Sequence, residues 1–238
     1  MPESRKPFLD PVLLLREVRR ALLEDIGPGD LTTIRVVPHS LRGRGTLRAK
    51  ERLVLAAARQ NGIRLLGPNC LGIINTDPQV SLNGSFARLM PATGNIALVS
   101  QSGAVGVAAL EYAQGEGIGL SKFVSVGNKA DLNENDFLAY LKDDPLTDVI
   151  MFYLEDISDP KRFFQLAREI TGEAGNKKPI LAIKSGRTAA GARAASSHTG
   201  ALAGSDEAYD ALFAQCGVLR VESLEELFDY ALAFSTQP

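Results

Sequence analysis

Residues 95–114 read NIALVSQSGAVGVAALEYAQ, and the two halves of this stretch follow different rules. The first six, NIALVS, form a short and nearly unbroken apolar run, as expected of a strand covered on both faces. Gly103 interrupts the run, and residues 104–114 then read as a helix. A buried strand that passes directly into a helix is the repeating unit of a parallel α/β sheet. The rhythm continues downstream. Strands are predicted over 121–126, 149–154, 179–183 and 217–221, alternating with helices over 135–142, 160–169, 205–215 and 223–234. Pro160 suits a first helical position, and Ser223 with Glu226 three residues later has the spacing of a capping box.

Five such units, joined by right-handed crossovers, predict an α/β fold with a flavodoxin-like, doubly wound, parallel five-stranded sheet in the order 2-1-3-4-5. A partial α/β segment precedes it. There, 56–61 reads as helix, 62–66 as strand, Gly67-Pro68-Asn69-Cys70 as a turn and 71–74 as another strand. Residues 76–94, punctuated by Pro78 and Pro91, read as a loop-rich linker. Nearer the start, 12–24 has helical spacing with Leu15, Val18 and Leu22 on one face, stopped by Gly27-Pro28-Gly29-Asp30.

Composition narrows the function classes. The chain has 238 residues, 45% hydrophobic and 23% charged, with a formal net charge of −2, which argues against a nucleic-acid partner. No run approaches the roughly 18 apolar residues of a membrane span, and the polar opening Met1 to Lys6 predicts no secretory signal. Two cysteines and two histidines make neither a disulfide framework nor a metal site, so a reducing, cytoplasmic setting is expected. The charge is uneven. Residues 1–56 carry 11 Lys/Arg against 7 Asp/Glu, whereas 57–238 carry 15 against 21. A basic arm for an anionic partner and a difference in origin both account for such a step.

In an open α/β sheet, ligands bind beyond the carboxyl ends of the strands, and three features fall there. Ser102, Gly103 and Ala104 open a helix, where free N–H groups and the helix dipole attract an anion; a plain cap and turn reads the same way. Glu155 directly follows the strand 149–154. A carboxylate there can accept from a histidine N–H and so choose which ring nitrogen reacts, although a solvated loop acid beside Asp156 and Asp159 is the simpler alternative. After the fourth strand, Lys184-Ser185-Gly186-Arg187-Thr188 and a run of small residues lead to Ser196-Ser197-His198-Thr199-Gly200. This predicts a long loop carrying His198 among Ser, Thr and Gly. An imidazole in that setting suits nucleophilic attack on a phosphoryl group better than a place in the core.

The stretches GIRLLGPNCLGIINT, ALVSQSGAVG, SVGNKADLNENDFLAYL, YLEDISD, KSGRTAAGARAASSHTGALAGSD and VESLEELFDYA occur in this order. Together they resemble the α-type part of the ADP-forming acyl-CoA synthetases, relatives of succinyl-CoA ligase. The resemblance covers about residues 57–238. It implies the reaction acyl-CoA + ADP + phosphate ⇌ carboxylic acid + ATP + CoA, passing through an acyl phosphate and a phosphohistidine. It also implies that His198 carries the phosphoryl group, that Glu155 supports it, and that Ser102, Gly103 and Ala104 hold the phosphate. Asn69 and Cys70 would lie near the thiol end of CoA. The implied cofactors are CoA and, through a partner or further domain, ATP/ADP with Mg. The implied partners are an ATP-grasp (β-type) subunit or domain and a small carboxylic acid or acyl-CoA. Self-association is left open.

Residues 12–54, with EDIGPGDLTT as the telling stretch, instead resemble the start of quinolinate phosphoribosyltransferase. No role carries over from that family, and His39 receives none. The expected organisation is therefore a phosphoribosyltransferase-like fragment over 1–56, a remnant of a CoA-binding domain plus linker over 57–93, and a succinyl-CoA ligase-like flavodoxin domain over 94–238. Two other classes stay open: a ligand-binding regulatory module without turnover, and an inert gene-fusion remnant. Retention of SSHTG favours the enzyme lineage.

Overall fold

A strand such as VIMFYL offers water no polar face, so several of them side by side need helices above and below. The structure, a computed structural model, describes residues 55, 58–172, 178–186 and 206–236. The phosphoribosyltransferase-like stretch 12–54 and His198 lie outside the described residues. The chain divides into two compact units, Met1–Arg64 and Leu65–Pro238. In the first, residues 58–60 are helical and end in a turn in which the Asn61 and Ile63 N–H groups both donate to Ala58 O.

The second unit contains, in chain order, β1 (Gly72–Asn75), β2 (Leu82–Ser85), β3 (Thr93–Ser100), α1 (Gly103–Gly115), β4 (Leu120–Ser125), α2 (Glu134–Asp143) and β5 (Val149–Leu154). Then follow α3 (Pro160–Thr171), β6 (Ile180–Lys184), α4 (Asp206–Cys216), β7 (Val218–Arg220) and α5 (Leu224–Thr236). They build one seven-stranded sheet in the order β2-β1-β4-β3-β5-β6-β7. The five strands from β4 to β7 run parallel. Numbered among themselves, they give the expected 2-1-3-4-5 order.

The sheet is larger than the sequence predicts, because β1 pairs antiparallel with β4 and β2 pairs antiparallel with β1. β2 falls within the expected linker 76–94. Its sequence, LNGS, has little strand propensity; it is recruited because β1 would otherwise present an open edge. The expected strand over 62–66 does not form. Its backbone is claimed by the loop after β4 instead: the Leu65 N–H donates to Asp131 Oδ2 (2.9 Å) and Leu65 O accepts from the Leu132 N–H (3.0 Å).

Alternation along β3 shows the double winding. Ala97 and Val99 face one core, with Leu138 of α2, Phe163 of α3 and Phe213 of α4. Ile96 and Leu98 face the other, with Leu110 of α1 and Phe228 of α5. Polar caps mark where the helices begin. Ser102 caps α1, Asn133 forms a capping box with Asp136 at α2, and Asp159 precedes Pro160 at α3. At α5, Ser223 Oγ accepts the Glu226 N–H, but the Glu226 carboxylate reaches back to the N–H of Glu222 rather than of Ser223.

A fragment of roughly 45 residues is too small to build a core of its own, so deleting residues 1–53 is expected to shift the melting temperature by less than roughly 3 °C, equivalent to about 1 kcal/mol for a domain of this size. Loss of cooperative unfolding in the truncated chain, seen by calorimetry, would show that the segment completes a core.

Candidate functional site

Strand register places the relevant carboxyl ends side by side. Ser100 of β3 lies opposite Ser125 of β4 and Tyr153 of β5, and Leu154 of β5 lies opposite Lys184 of β6. The segments leaving these strands, Gln101 to Ala104, Val126 to Asn133, Glu155 to Asp159 and Ser185 to Gly186, thus share one edge of the sheet.

The start of α1 is shaped by two serines. Ser100 Oγ accepts the Ser102 N–H (3.2 Å) and donates to Ser102 O (2.7 Å). Ser102 Oγ accepts the Val105 N–H (3.3 Å), while Ser102 O accepts from Gly106 (3.0 Å). The N–H groups of Gly103 and Ala104, which precede the first intrahelical bonds, have no acceptor among the described residues. Ala104 is exposed. Adding inorganic phosphate should therefore shift the amide resonances of Gly103 and Ala104 ahead of others, and Ser102→Ala should cost about 1 kcal/mol through loss of the cap. Unmoved Gly103 and Ala104 signals at saturating phosphate would remove the anion site.

The turn Gly67–Cys70 is stapled to the loop after β4. Pro68 O accepts from the Asn128 N–H and Gly67 O from the Ala130 N–H, both at 2.9 Å. Asn69, at φ 54°, donates from its exposed amide to Asn128 Oδ1 (3.3 Å). Leu71, next in the chain, donates its N–H to Ser125 Oγ (3.0 Å) and lies against Gly103, whose Cβ, if present, would sit 3.9 Å from Leu71 Cβ. Asn69 and Cys70 are thereby brought close to the start of α1. Burial pushes the Cys70 thiol up, against the smaller opposing effect of the Cys70 and Gly72 backbone N–H groups, so it stays protonated near neutrality, and its Sγ makes a long contact to Leu66 O (3.8 Å). A contact role suits it; a nucleophilic one does not.

Glu155 is half-buried and donates its N–H to Gln101 Oε1 (2.6 Å). Its carboxylate has no hydrogen-bond or ion-pair partner among the described residues. Its neighbours are tied down. Lys129 Nζ contacts Asp156 Oδ1 (2.6 Å) and Glu134 Oε2 (3.1 Å), and Glu134 Oε1 accepts the Ser158 N–H (2.5 Å). Gln101, Lys129 and Glu134 were given no role from the sequence. Within SQSG and NKADLNEND they read as ordinary loop and helix-start residues, and only their spatial convergence marks them.

Lys184, the last residue of β6, is buried with Nζ 4.6 Å above the Tyr209 ring. Burial lowers its pKa, an effect opposed by the nearby acids Asp206, Asp156 and Glu155. Arg220 of β7 bonds Asp206 and Asp210 at 2.5 Å each and so anchors the start of α4. His198 belongs to the segment between these two anchored ends, outside the described residues.

The edge therefore offers, among the described residues, N–H donors without an acceptor, a carboxylate without a hydrogen-bond or ion-pair partner, and an exposed amide beside a thiol. This arrangement can hold a phosphoryl group and orient a nucleophile supplied to it. Among the described residues no helix is long and apolar enough to cross a membrane.

Residues 93–234 match the family described as succinyl-CoA ligase like flavodoxin domain. The chain is 50% identical over 189 residues to the 4-hydroxybutyrate--CoA ligase (ADP-forming) of Nitrosopumilus maritimus, covering 79% of this chain and 27% of that one. It is 44% identical over 209 residues to the acetate--CoA ligase (ADP-forming) I subunit alpha of Pyrococcus furiosus, covering 86% and 44%. Among solved structures it resembles the dinucleotide forming acetyl-coenzyme A synthetase 1 of Ca. Korarchaeum cryptofilum in complex with phosphate and ADP. That likeness has a TM-score of 0.73 and 43% identity, over 79% of this chain and 40% of that one. The chain thus spans less than half the length of each.

Proposed function

The chain belongs to the succinyl-CoA ligase like flavodoxin family, and from that premise we propose that it is the phosphohistidine-carrying part of an ADP-forming acyl-CoA synthetase. The reaction served is acyl-CoA + ADP + phosphate ⇌ carboxylic acid + ATP + CoA. The observation that supports this reading is the gathering of the Gly103 and Ala104 N–H groups, the Glu155 residue and the end of β6 at one sheet edge.

In this reading a neutral His198 nitrogen attacks the phosphorus of an acyl phosphate. The N–P bond forms as the bond from phosphorus to the acyl oxygen breaks, and the carboxylate leaves. Glu155 accepts the N–H of the other ring nitrogen and stabilises the imidazolium that develops. Gly103 and Ala104 donate to the phosphoryl oxygens. The exposed amide of Asn69 and the half-buried thiol of Cys70 fit the narrow end of a CoA molecule, which supplies the thiol acceptor of the acyl group when bound. ADP, ATP and Mg are assigned to an ATP-grasp subunit or domain acting as partner, with a small carboxylic acid as the other substrate. Two free cysteines suit a reducing cytoplasm. A separate phosphoribosyltransferase-like origin is retained, in the same proposal, only for the part of residues 1–56 that the acetate--CoA ligase alignment, covering 86% of the chain, does not reach.

The test is incubation of the full chain with γ-labelled ATP and a related ATP-grasp subunit. Acid-labile, base-stable label on His198 supports the reading, whereas an unlabelled chain beside a competent partner points to the regulatory or inert alternatives.

A further inference from the structure

We propose that Gln101 is a positioning residue for phosphoryl transfer: its side-chain amide clamps the backbone of Glu155 and Asp156 to the end of β3 and thereby sets where the Glu155 carboxylate stands relative to the start of α1. The inference rests on the phosphohistidine reading above and adds a residue that this reading leaves unused.

The geometry is unusually complete for one side chain. Gln101 is 7% exposed and follows the last residue of β3. Its own N–H donates to Tyr153 O (3.0 Å), extending the β3–β5 ladder by one bond. Where β5 ends and that ladder would stop, the side chain takes over. Oε1 accepts the N–H groups of both Glu155 (2.6 Å) and Asp156 (3.0 Å), and Nε2 donates to Asp156 O (2.7 Å). Nε2 also approaches Glu134 Oε2 (3.4 Å), a carboxylate with no exposed surface. The amide orientation is chemically determined, since the reverse would set the NH2 group against two N–H donors and the oxygen against a carboxylate and a carbonyl.

The clamp has a backing. Lys129, with only 8% of its side chain exposed, bonds Asp156 through both Oδ1 (2.6 Å) and O (3.3 Å) and pairs with the same Glu134. Glu134 in turn holds the Ser158 N–H. Gln101, Lys129 and Glu134 thus fix the backbone on either side of Glu155, while the Glu155 carboxylate itself has no hydrogen-bond or ion-pair partner among the described residues. Immobilising the backbone beneath a carboxylate is what a preorganised electrostatic partner requires.

Other side chains fit this position poorly. Asn falls one methylene short, Glu would place a second carboxylate against Glu134, and Met keeps the volume but forms no hydrogen bond.

The experiment uses the full chain, phosphoramidate as phosphoryl donor, and the variants Gln101→Met, Gln101→Asn, Glu155→Gln, Gln101→Met/Glu155→Gln and His198→Asn. Hydrogen exchange at the Glu155 and Asp156 amides should quicken roughly tenfold in Gln101→Met while that of Met151 in β5 is unchanged. Labelling of His198 should slow by a similar factor in Gln101→Met and less in Gln101→Asn. In the Glu155→Gln background the Gln101→Met change should add nothing, because a residue that acts through the Glu155 charge has no effect once that charge is gone. Unchanged exchange overturns the clamp. Faster exchange with undiminished labelling, or an equal loss in both Glu155 backgrounds, overturns the positioning role. Label that persists in His198→Asn, or indifference to Glu155→Gln, defeats the underlying reading and is told apart from the other failures by those two single variants. If Gln101→Met does not fold, Gln101→Asn carries the same comparison.

Discussion

His198→Asn is expected to remove all acid-labile, base-stable phosphate from the chain in the presence of ATP and a competent ATP-grasp partner, a complete loss rather than a reduction. The chain has two histidines, and His39 serves as the internal control: His39→Asn should leave labelling intact. A carried phosphoryl group brings roughly −1.5 to −2 charges, so its oxygens need donors rather than acids. Gly103 and Ala104 supply N–H groups at the positive end of α1, whereas the Glu155 carboxylate suits only the ring nitrogen away from the phosphorus. Glu155→Gln should therefore slow labelling without abolishing it. The fold should survive, since the loop is held through the Glu155 backbone and through Asp156 rather than through this carboxylate. Labelling that persists in His198→Asn, measured after alkaline work-up, would end the assignment.

Gly127→Ala is expected to be the most damaging small substitution near the site. Gly127 has φ +55°, and a Cβ there would lie 2.3 Å from Pro68 O and 2.4 Å from Asn69 O. Pro68 O is held by the Asn128 N–H, and the same turn is held through Gly67 O by the Ala130 N–H, so this backbone resists swinging aside. The left-handed backbone costs about 1 kcal/mol for an alanine, and the collision adds more, for a total loss of roughly 3 kcal/mol. For a domain of this size that corresponds to a fall of roughly 6–12 °C in melting temperature. The Asn69–Asn128 contact should be lost with it. Gly115→Ala is the matched control: nothing lies within 4 Å of its Cβ and the residue ends α1, so a neutral or slightly stabilising effect is expected. Equal melting temperatures for the two variants would show that the turn at Gly67 can move away from Gly127.

Much of the fold was legible because apolar periodicity is local. NIALVS and VIMFYL announce buried strands without reference to anything else in the chain, and Ser102, Pro160 and Ser223 announce helices that follow. LNGS did not announce β2, since nothing in those four residues prefers a strand and the pairing partner is β1. Residues 62–66 looked like a strand because they are largely apolar, but Gly62 and Ile63 donate back to Arg59 and Ala58, and the backbone groups of Leu65 are taken by Asp131 and Leu132, more than sixty positions away.

The site divides along the same line. Ser102, Gly103 and Ala104 could be read as a helix start, Glu155 as the acid after a strand, and His198 as a histidine among small polar residues, because each depends only on its immediate neighbours. The sequence by itself thus proposed which groups would carry the chemistry and determined that Ser102, Gly103, Ala104 and Glu155 follow strand ends. Tertiary structure alone decided that Leu71 brings Asn69 and Cys70 to Gly103, and that Gln101, Lys129 and Glu134 meet around the loop from Glu155 to Ser158. A glutamine, a lysine and a glutamate have no periodicity to betray them. Their role exists only once the β3, β4 and β5 ends are side by side, because hydrogen bonds and ion pairs act over about 3 Å regardless of how many residues separate the partners along the chain.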